Sequence, residues 1–502
     1  MPERNYIIMK KSCVIIILIA VLLLSAVFLY SCNSKNNSGK ENKDDTSNTD
    51  AAGQNEQEQQ EEKINVVSVV ANLPDEDYGG YEFKIWTSNQ IGPIDTRQAP
   101  EEEQNGDPVN DSLYIRDKLV EDKYNINIKY TVMDYGSILS KALNSVRAGN
   151  NEFDFVMDDM ISLTSGLAQN GALVDFNEVP NVDLTKEWWS KYAIRDLTIN
   201  GKFYFPTGDI STRYTLAPYL LMFNKKLFSD HGFEYPYQTV LDGKWTIDEL
   251  TAIIKDKTQD LNGDGIIGKT DFFGMTVDEY PLAFIHSFGE SIVKIVDGNP
   301  VFNVTNERML AVMDKLASFW GDPNYMVGTK NYIGYDEVQI FKEDRALFVS
   351  TTVIDVSLYK DMESDFGVLP LPKYDVNQPE YYSSINPYAS SAVCVPKTAE
   401  NLTRTGMIIE ALAAAGRYTS TPAVYDITLK TKYARDEDSE AMLDLICAGS
   451  RYDFAIMYDW GGVFTQFRTT FNSGQNFVSR FESIENRAQA AMEKTIAVFE
   501  KN

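Results

Sequence analysis

The sequence predicts an α/β protein with a mostly parallel sheet and helices on both faces. Two observations carry this. Between residues 81 and 161, strand-like and helix-like segments alternate in a β-α-β-α-β rhythm. Beyond a polar N-terminal stretch, roughly 420 residues of ordinary apolar content remain, enough for two cores rather than one.

Each element has a local reason. Residues 81–86 are a β-rich run ending at Trp86. Residues 111–124 carry apolar side chains at helical spacing behind Asp111, the expected N-cap. A strand follows at 126–132, a helix at 138–149, a strand at 152–157, and a helix opens near Ile161. Such sheets take ligands at the carboxyl ends of their strands, which here are Trp86, Thr87 and Ser88, then Asp158, Asp159 and Met160. A loop-rich aromatic stretch runs from Trp188 to Asp209, and a strand running into a helix is expected at 219–228. Thr246 with Glu249 three residues later forms a capping box for the next helix. Further strands are expected at 345–353, 365–374 and 390–396, a helix at 399–415, and one or two long amphipathic helices at 475–500. The sequence contains no internal repeat.

The N-terminus carries a separate signal. Arg4, Lys10 and Lys11 precede an apolar run from Cys13 to Tyr30. A basic segment, an apolar core and a small residue before the cut make a secretory signal. The Leu29-Tyr30-Ser31-Cys32 junction resembles a bacterial lipoprotein signal, which implies that Cys32 becomes the first mature residue and carries lipid. Residues 1–31 are then the signal peptide. Residues 32–77, rich in Asn, Ser, Glu and Gln, are a disordered tether. The alternative is an uncleaved signal anchor, since the run approaches spanning length. Both place the rest of the chain outside the cytoplasm, at the membrane's outer face.

Composition excludes several classes. Residues 1–31 hold three basic and one acidic residue, so their removal takes the net charge from −27 to −29. Such a surface repels phosphate backbones, and nucleic acid is not an expected partner. Four cysteines do not make a disulfide scaffold, and Cys394 and Cys447 are expected as buried thiols. Two histidines, His231 and His286, leave no room for a His-rich metal site and make a histidine-based triad improbable.

One loop has calcium spacing. Counted as twelve residues from 260, it places Asp260, Asn262 and Asp264 at positions 1, 3 and 5, Gly265 at 6, the Ile266 carbonyl at 7 and Asp271 at 12. A hard cation wants oxygen ligands at this alternation, with glycine at the sharp turn. The expected role of the calcium is structural. A strand-like run follows the loop, so this is no sensor pair.

Five segments together resemble the extracellular solute-binding proteins of ABC importers, the family that includes maltose-binding protein. They are residues 219–236, 243–250, 200–209, 341–350 and 366–373. The stretches 106–126 and 183–202 resemble a Gram-positive branch. The resemblance implies a two-lobed, periplasmic-binding-protein-like fold of type II, with mixed or parallel sheets flanked by helices. Lobe one is expected at 80–208 and 385–430, and lobe two at 215–380 and 435–502. It further implies a non-enzymatic, monomeric binder that closes over a solute and presents it to an ABC permease.

Aromatic residues make up 12% of the chain. Sugar clefts set flat rings against pyranose faces and carboxylates against hydroxyls. By placement, the expected ligand contacts are Trp86, Asp159, Asp209, Tyr214, Tyr388 and Trp460. Trp188 and Trp189 stand evenly between cleft and packing, and Trp245 is expected to pack a helix start. An oligosaccharide is the expected solute. A secreted carbohydrate-active enzyme and a surface carbohydrate-binding module are the competing classes.

Overall fold

A computed structural model describes residues 69–501, apart from 71, 90–96, 278–279, 322–326, 329–336, 426–436 and 473–475. The signal, Cys32 and most of the tether lie outside the described residues. The chain divides into two units, Met1–Glu62 and Lys63–Asn502, and every described residue belongs to the second.

The elements run in this order: β1 (Tyr81–Ser88), α1 (Pro108–Tyr124), β2 (Ile126–Met133), α2 (Tyr135–Arg147), β3 (Phe155–Asp159), a π-turn at Met160–Thr164, and α3 (Ser165–Gln169). Then come β4 (Tyr219–Asn224), α4 (Lys225–His231), α5 (Ile247–Ile254), β5 (Phe273–Val277), α6 (Leu282–Ser287), β6 (Val327–Gly328), β7 (Ala346–Thr352) and β8 (Phe366–Leu369). The chain finishes with β9 (Ser383–Ser384), β10 (Ser391–Cys394), α7 (Leu402–Tyr418), β11 (Ser450–Arg451), α8 (Phe454–Tyr458) and α9 (Phe477–Lys501).

Two expectations about helix starts are corrected. The cap of α1 is Asp107, whose carboxylate accepts from the Asn110 amide, with Pro108 in the first turn. Asp111 sits one turn inside, where it accepts from the amides of Asn105 and Gly106 at 2.9 and 3.1 Å. Proline suits this first turn because its missing N–H would have no intrahelical partner there. Near Ile161 the chain first makes a π-turn, capped by Asp159, and only then α3. The Thr246 cap is as expected: its hydroxyl accepts from the Glu249 amide at 3.4 Å.

Two sheets organise the fold. The first has strand order β10-β3-β1-β2, with β1 parallel to β2 and β3, and β10 antiparallel to β3. The second has order β6-β5-β7-β4-β8 and is mixed, with β4 antiparallel to both neighbours. This is an α/β architecture of two lobes. Strands β3, β4, β5, β7, β8 and β10 are wholly buried, while β2 is an edge strand whose outward side chains alternate into solvent. The lobes share apolar packing: Val109 and Leu113 of α1 join Leu220, Met222 and Phe273 in one cluster.

Chain crossings connect the sheets. Val393 bonds the Pro206 carbonyl, Asn386 bonds the Ala217 carbonyl, and Pro218 bridges Ile385. The first crossing lies flush on its neighbours. A Cβ at Gly208 would come 2.0 Å from the Trp188 carbonyl oxygen, and one at Gly416 of α7 would come 2.0 Å from that of Asp209. Arg116, buried in α1, donates to the Ile210 carbonyl at 3.0 Å, to Asp117 and to Tyr130. The C-terminal helix packs Phe481 on Phe302 and Phe499 on Tyr204. Cys394 and Cys447 are not joined, and burial pushes both thiols up to about 12. Among the described residues no helix is long and apolar enough to cross a membrane.

Candidate ligand cleft

The strand ends meet the crossings on both sides. In the first sheet, β1, β2 and β3 end at Ser88, Met133 and Asp159, and Asp159 pairs with Ser391 at the start of β10. In the second, β4 begins beside the end of β7, where Tyr219 pairs with Thr352, and β5 ends at the same edge with Val277 opposite Ser350. These two edges are the candidate walls of the ligand cleft.

The first edge is acidic. Asp158 and Asp159 are buried, and Arg213 of the crossing places Nη1 3.5 Å from Asp158 Oδ1. Burial pushes Asp159 up to about 6, against the pull of the turn amides it caps. Tyr135 opens α2 above them, its hydroxyl 2.8 Å from Ser162 Oγ, and burial raises its phenol to about 12. The second edge is aromatic. Tyr219 and Tyr280 stack at 4.8 Å with planes 3° apart, and Phe464 tilts against Tyr280 at 5.6 Å.

Of the six expected ligand residues, the structure brings two together at the end of β3. Asp159 is one. Tyr388 is the other: it is 50% exposed, and the carbonyl of its neighbour Pro387 accepts from the Met160 amide. Trp86, Trp460 and Asp209 have their side chains engaged in packing or ion pairs, and Tyr214 lies on the crossing. Trp86 is 8% exposed and lies 4.4 Å from the Phe153 ring inside the first core. Trp460 is buried, stacks on Tyr458 at 5.1 Å and donates Nε1–H to Thr495. Asp209 accepts from Arg417 and Thr421 of the α7 region, and burial raises it to about 6. Tyr214 is half-buried, its phenol raised to about 12 mainly by burial. Sequence reasoning named Asp158 only as a strand end. It missed Arg213, Tyr135 and the Tyr219–Tyr280 stack, for which no local pattern exists.

Two tryptophans held evenly are settled as packing residues. Trp188 and Trp189 donate their indole N–H groups to the two oxygens of Glu410, at 3.1 and 2.9 Å. Burial pushes this carboxyl up to about 7. Trp245 is likewise buried, donating to the Pro370 carbonyl.

Ser384, His286 and Asp453 do stand in hydrogen-bonded order, although not as a working triad. Ser384 Oγ lies 2.7 Å from His286 Nδ1, and Asp453 Oδ2 lies 3.3 Å from Nε2. All three are sealed from solvent, and Asp453 also accepts from the amides of Ile292, Val293 and Ala455. A nucleophile must reach its substrate. This trio instead braces α6, β9 and the start of α8.

The calcium-spaced loop is closed by its own carboxylates. Asp260 accepts from the amides of Gly263 and Gly265, Asp264 from that of Ile266, and Asp271 from those of Leu261 and Gly268. Gly265 holds φ at +81°, the left-handed conformation the turn requires. Asn262 donates to Asp264 and Thr270. Among the described residues no three His, Cys, Asp or Glu side chains gather closely enough to hold a metal. The calcium reading therefore rests on the oxygen spacing, not on a preformed carboxylate cluster.

The sequence profile of the bacterial extracellular solute-binding proteins matches residues 116–427, which take in strands of both sheets and the crossings between them. The chain belongs to this family. As a solute-binding protein it is a binder and not an enzyme. Its fold is similar to that of M. tuberculosis UspC, at 14% identity and a TM-score of 0.55, covering 82% of this chain and 100% of that one. It is also similar to the galacto-N-biose/lacto-N-biose I-binding protein of a Bifidobacterium longum ABC transporter, at 14% identity and TM-score 0.53, covering 85% and 99%. A cyclo/maltodextrin-binding protein complexed with maltotetraose matches at 14% identity and TM-score 0.51, covering 84% and 96%. These likenesses establish the two-lobed type II fold of the solute-binding protein. No curated protein matches it in sequence.

Proposed function

We propose that this chain is the lipid-anchored extracellular receptor of an ABC importer, a monomer that captures an oligosaccharide by hinge closure and hands it to a permease. The observation that supports this is a set of strand ends that carries aromatic rings, Tyr219 with Tyr280, in one sheet and carboxylates, Asp158 with Asp159, in the other. Rings cover the apolar faces of pyranoses and carboxylates accept from their hydroxyls. Two of the similar structures are described with saccharide ligands, lacto-N-biose and maltotetraose. Closure is driven only by contacts the solute makes better in the closed form, and the permease reads that form. Lipid on Cys32 would keep the receptor beside its permease, with the polar tail as a reach of several nanometres by random-coil scaling, on the order of 40 Å.

The test is a thermal-shift and calorimetric screen of the purified chain against oligosaccharides, with chromatography of the mixtures. Binding without turnover is the expected result. Released product, or no shift with any saccharide, would sink the proposal.

A further inference from the structure

Two buried oxygens at the end of β3 have no partner. Asp158 spends Oδ1 on the Asp159 amide at 2.8 Å, and Asp159 spends Oδ1 on the Ser162 amide at 2.5 Å. The second oxygen of each, Oδ2, is buried and accepts no hydrogen bond among the described residues. Asp158 is 1% exposed and Asp159 0%. Native folds rarely leave such atoms unsatisfied, because an unmet buried acceptor costs about 1–3 kcal/mol, and more when charged. Two adjacent acceptors of this kind at a strand end are where a donor on a bound solute would be most strongly held.

Charge narrows the donor. Two carboxylates face one guanidinium, Arg213, which stands against Asp158. The pair sits at the carboxyl end of a parallel strand, where such sheets take ligands. The exposed Tyr388 follows Pro387, whose carbonyl accepts from the Met160 amide just past the pair. A neutral hydroxyl supplies one donor and leaves the excess negative charge buried. An ammonium group supplies three donors, no acceptor and the missing positive charge.

We infer that Asp158 and Asp159 form a subsite for a protonated amine, and that the solute is an amine-bearing saccharide. This rests on the solute-binding reading above and goes one step further, to the chemistry of one group on the ligand.

The test is calorimetry at pH 6.5 on the intact chain, with gluco-, galacto- and manno-configured oligosaccharides, each beside its 2-amino counterpart. At least one amino sugar should bind tenfold or more tighter than its hydroxyl partner. In Asp159→Asn that preference, read as the ratio of the two affinities in the same variant, should fall to less than threefold. The wild-type comparison stands by itself if the variant does not fold. Hydroxyl sugars binding as tightly as their amino partners would overturn the inference and leave the saccharide receptor standing. No binding by any member of the panel would overturn both.

Discussion

Asp209 Oδ2 and Arg417 Nη1 stand 3.1 Å apart, joining the first crossing to the last turn of α7. The carboxylate is 1% exposed while the guanidinium side chain is 37% exposed, so the pair is wet on one side only. Thr421 supplies the second donor, at 2.9 Å to Oδ1. Asp209→Ala leaves Arg417 free to reach water, which keeps the loss below that of a fully buried pair. We expect about 1–3 kcal/mol of lost stability in urea titration. A change within about 0.5 kcal/mol, the range of ordinary surface substitutions, would refute a clamping role.

The Glu410 carboxyl gives a pH signature. Its folded value, about 7, lies above the usual 4.5 because burial penalises the charge more than the two indole donors favour it. The favourable contribution is full below about 4.5 and is lost as pH rises towards and through about 7. The melting-temperature difference between wild type and Glu410→Gln should therefore change across pH 4.5 to 7.5. A constant offset would show that the carboxyl does not titrate differently in the fold.

Tyr388 and Trp86 should separate binding from packing. Tyr388 is half exposed, so Tyr388→Ala should leave melting unchanged and weaken oligosaccharide binding by roughly three- to tenfold, the worth of one stacked ring. Trp86→Ala should instead cost about 3–5 kcal/mol of stability. Equal melting losses in the two variants would contradict this assignment.

The loop at 260–271 predicts a calcium isotherm with Kd on the order of 10⁻⁴–10⁻³ M, the range of extracellular modules. Asp264→Ala should abolish it, and chelator should lower the melting temperature of the wild type alone. Identical melting with and without chelator would leave the loop as a self-closed turn.

Much of the fold was legible because periodicity is local. The strands at β1, β2, β4 and β7 and the helices around Thr246 and in α9 follow from side-chain spacing and caps. The start of α1 was not, because two aspartates four residues apart both satisfy cap chemistry. Only the turn at Asn105 and Gly106 decides which amide each accepts. The cleft was harder still. Trp86 was expected to end its strand as Asp159 ends β3, yet β1 runs on to Ser88, and the packing of Trp86 on Phe153 sends its ring into the core while Asp159 stays at the strand end. The Tyr219–Tyr280 stack joins residues about sixty positions apart in sequence, and nothing short of the assembled second sheet brings them face to face.

The two glycine contacts along the first crossing have a mechanical consequence. With Gly208 seated on Trp188, Gly416 on Asp209, and Arg116 holding Ile210, the polypeptide up to residue 210 behaves as a rigid extension of the first lobe. From Pro218 onward it is already part of the second sheet. On this strand of the linkage Arg213 still reaches back to Asp158 and the Leu216 carbonyl already accepts from the Ile354 amide, so the segment between the two anchorages is shorter than a single loop.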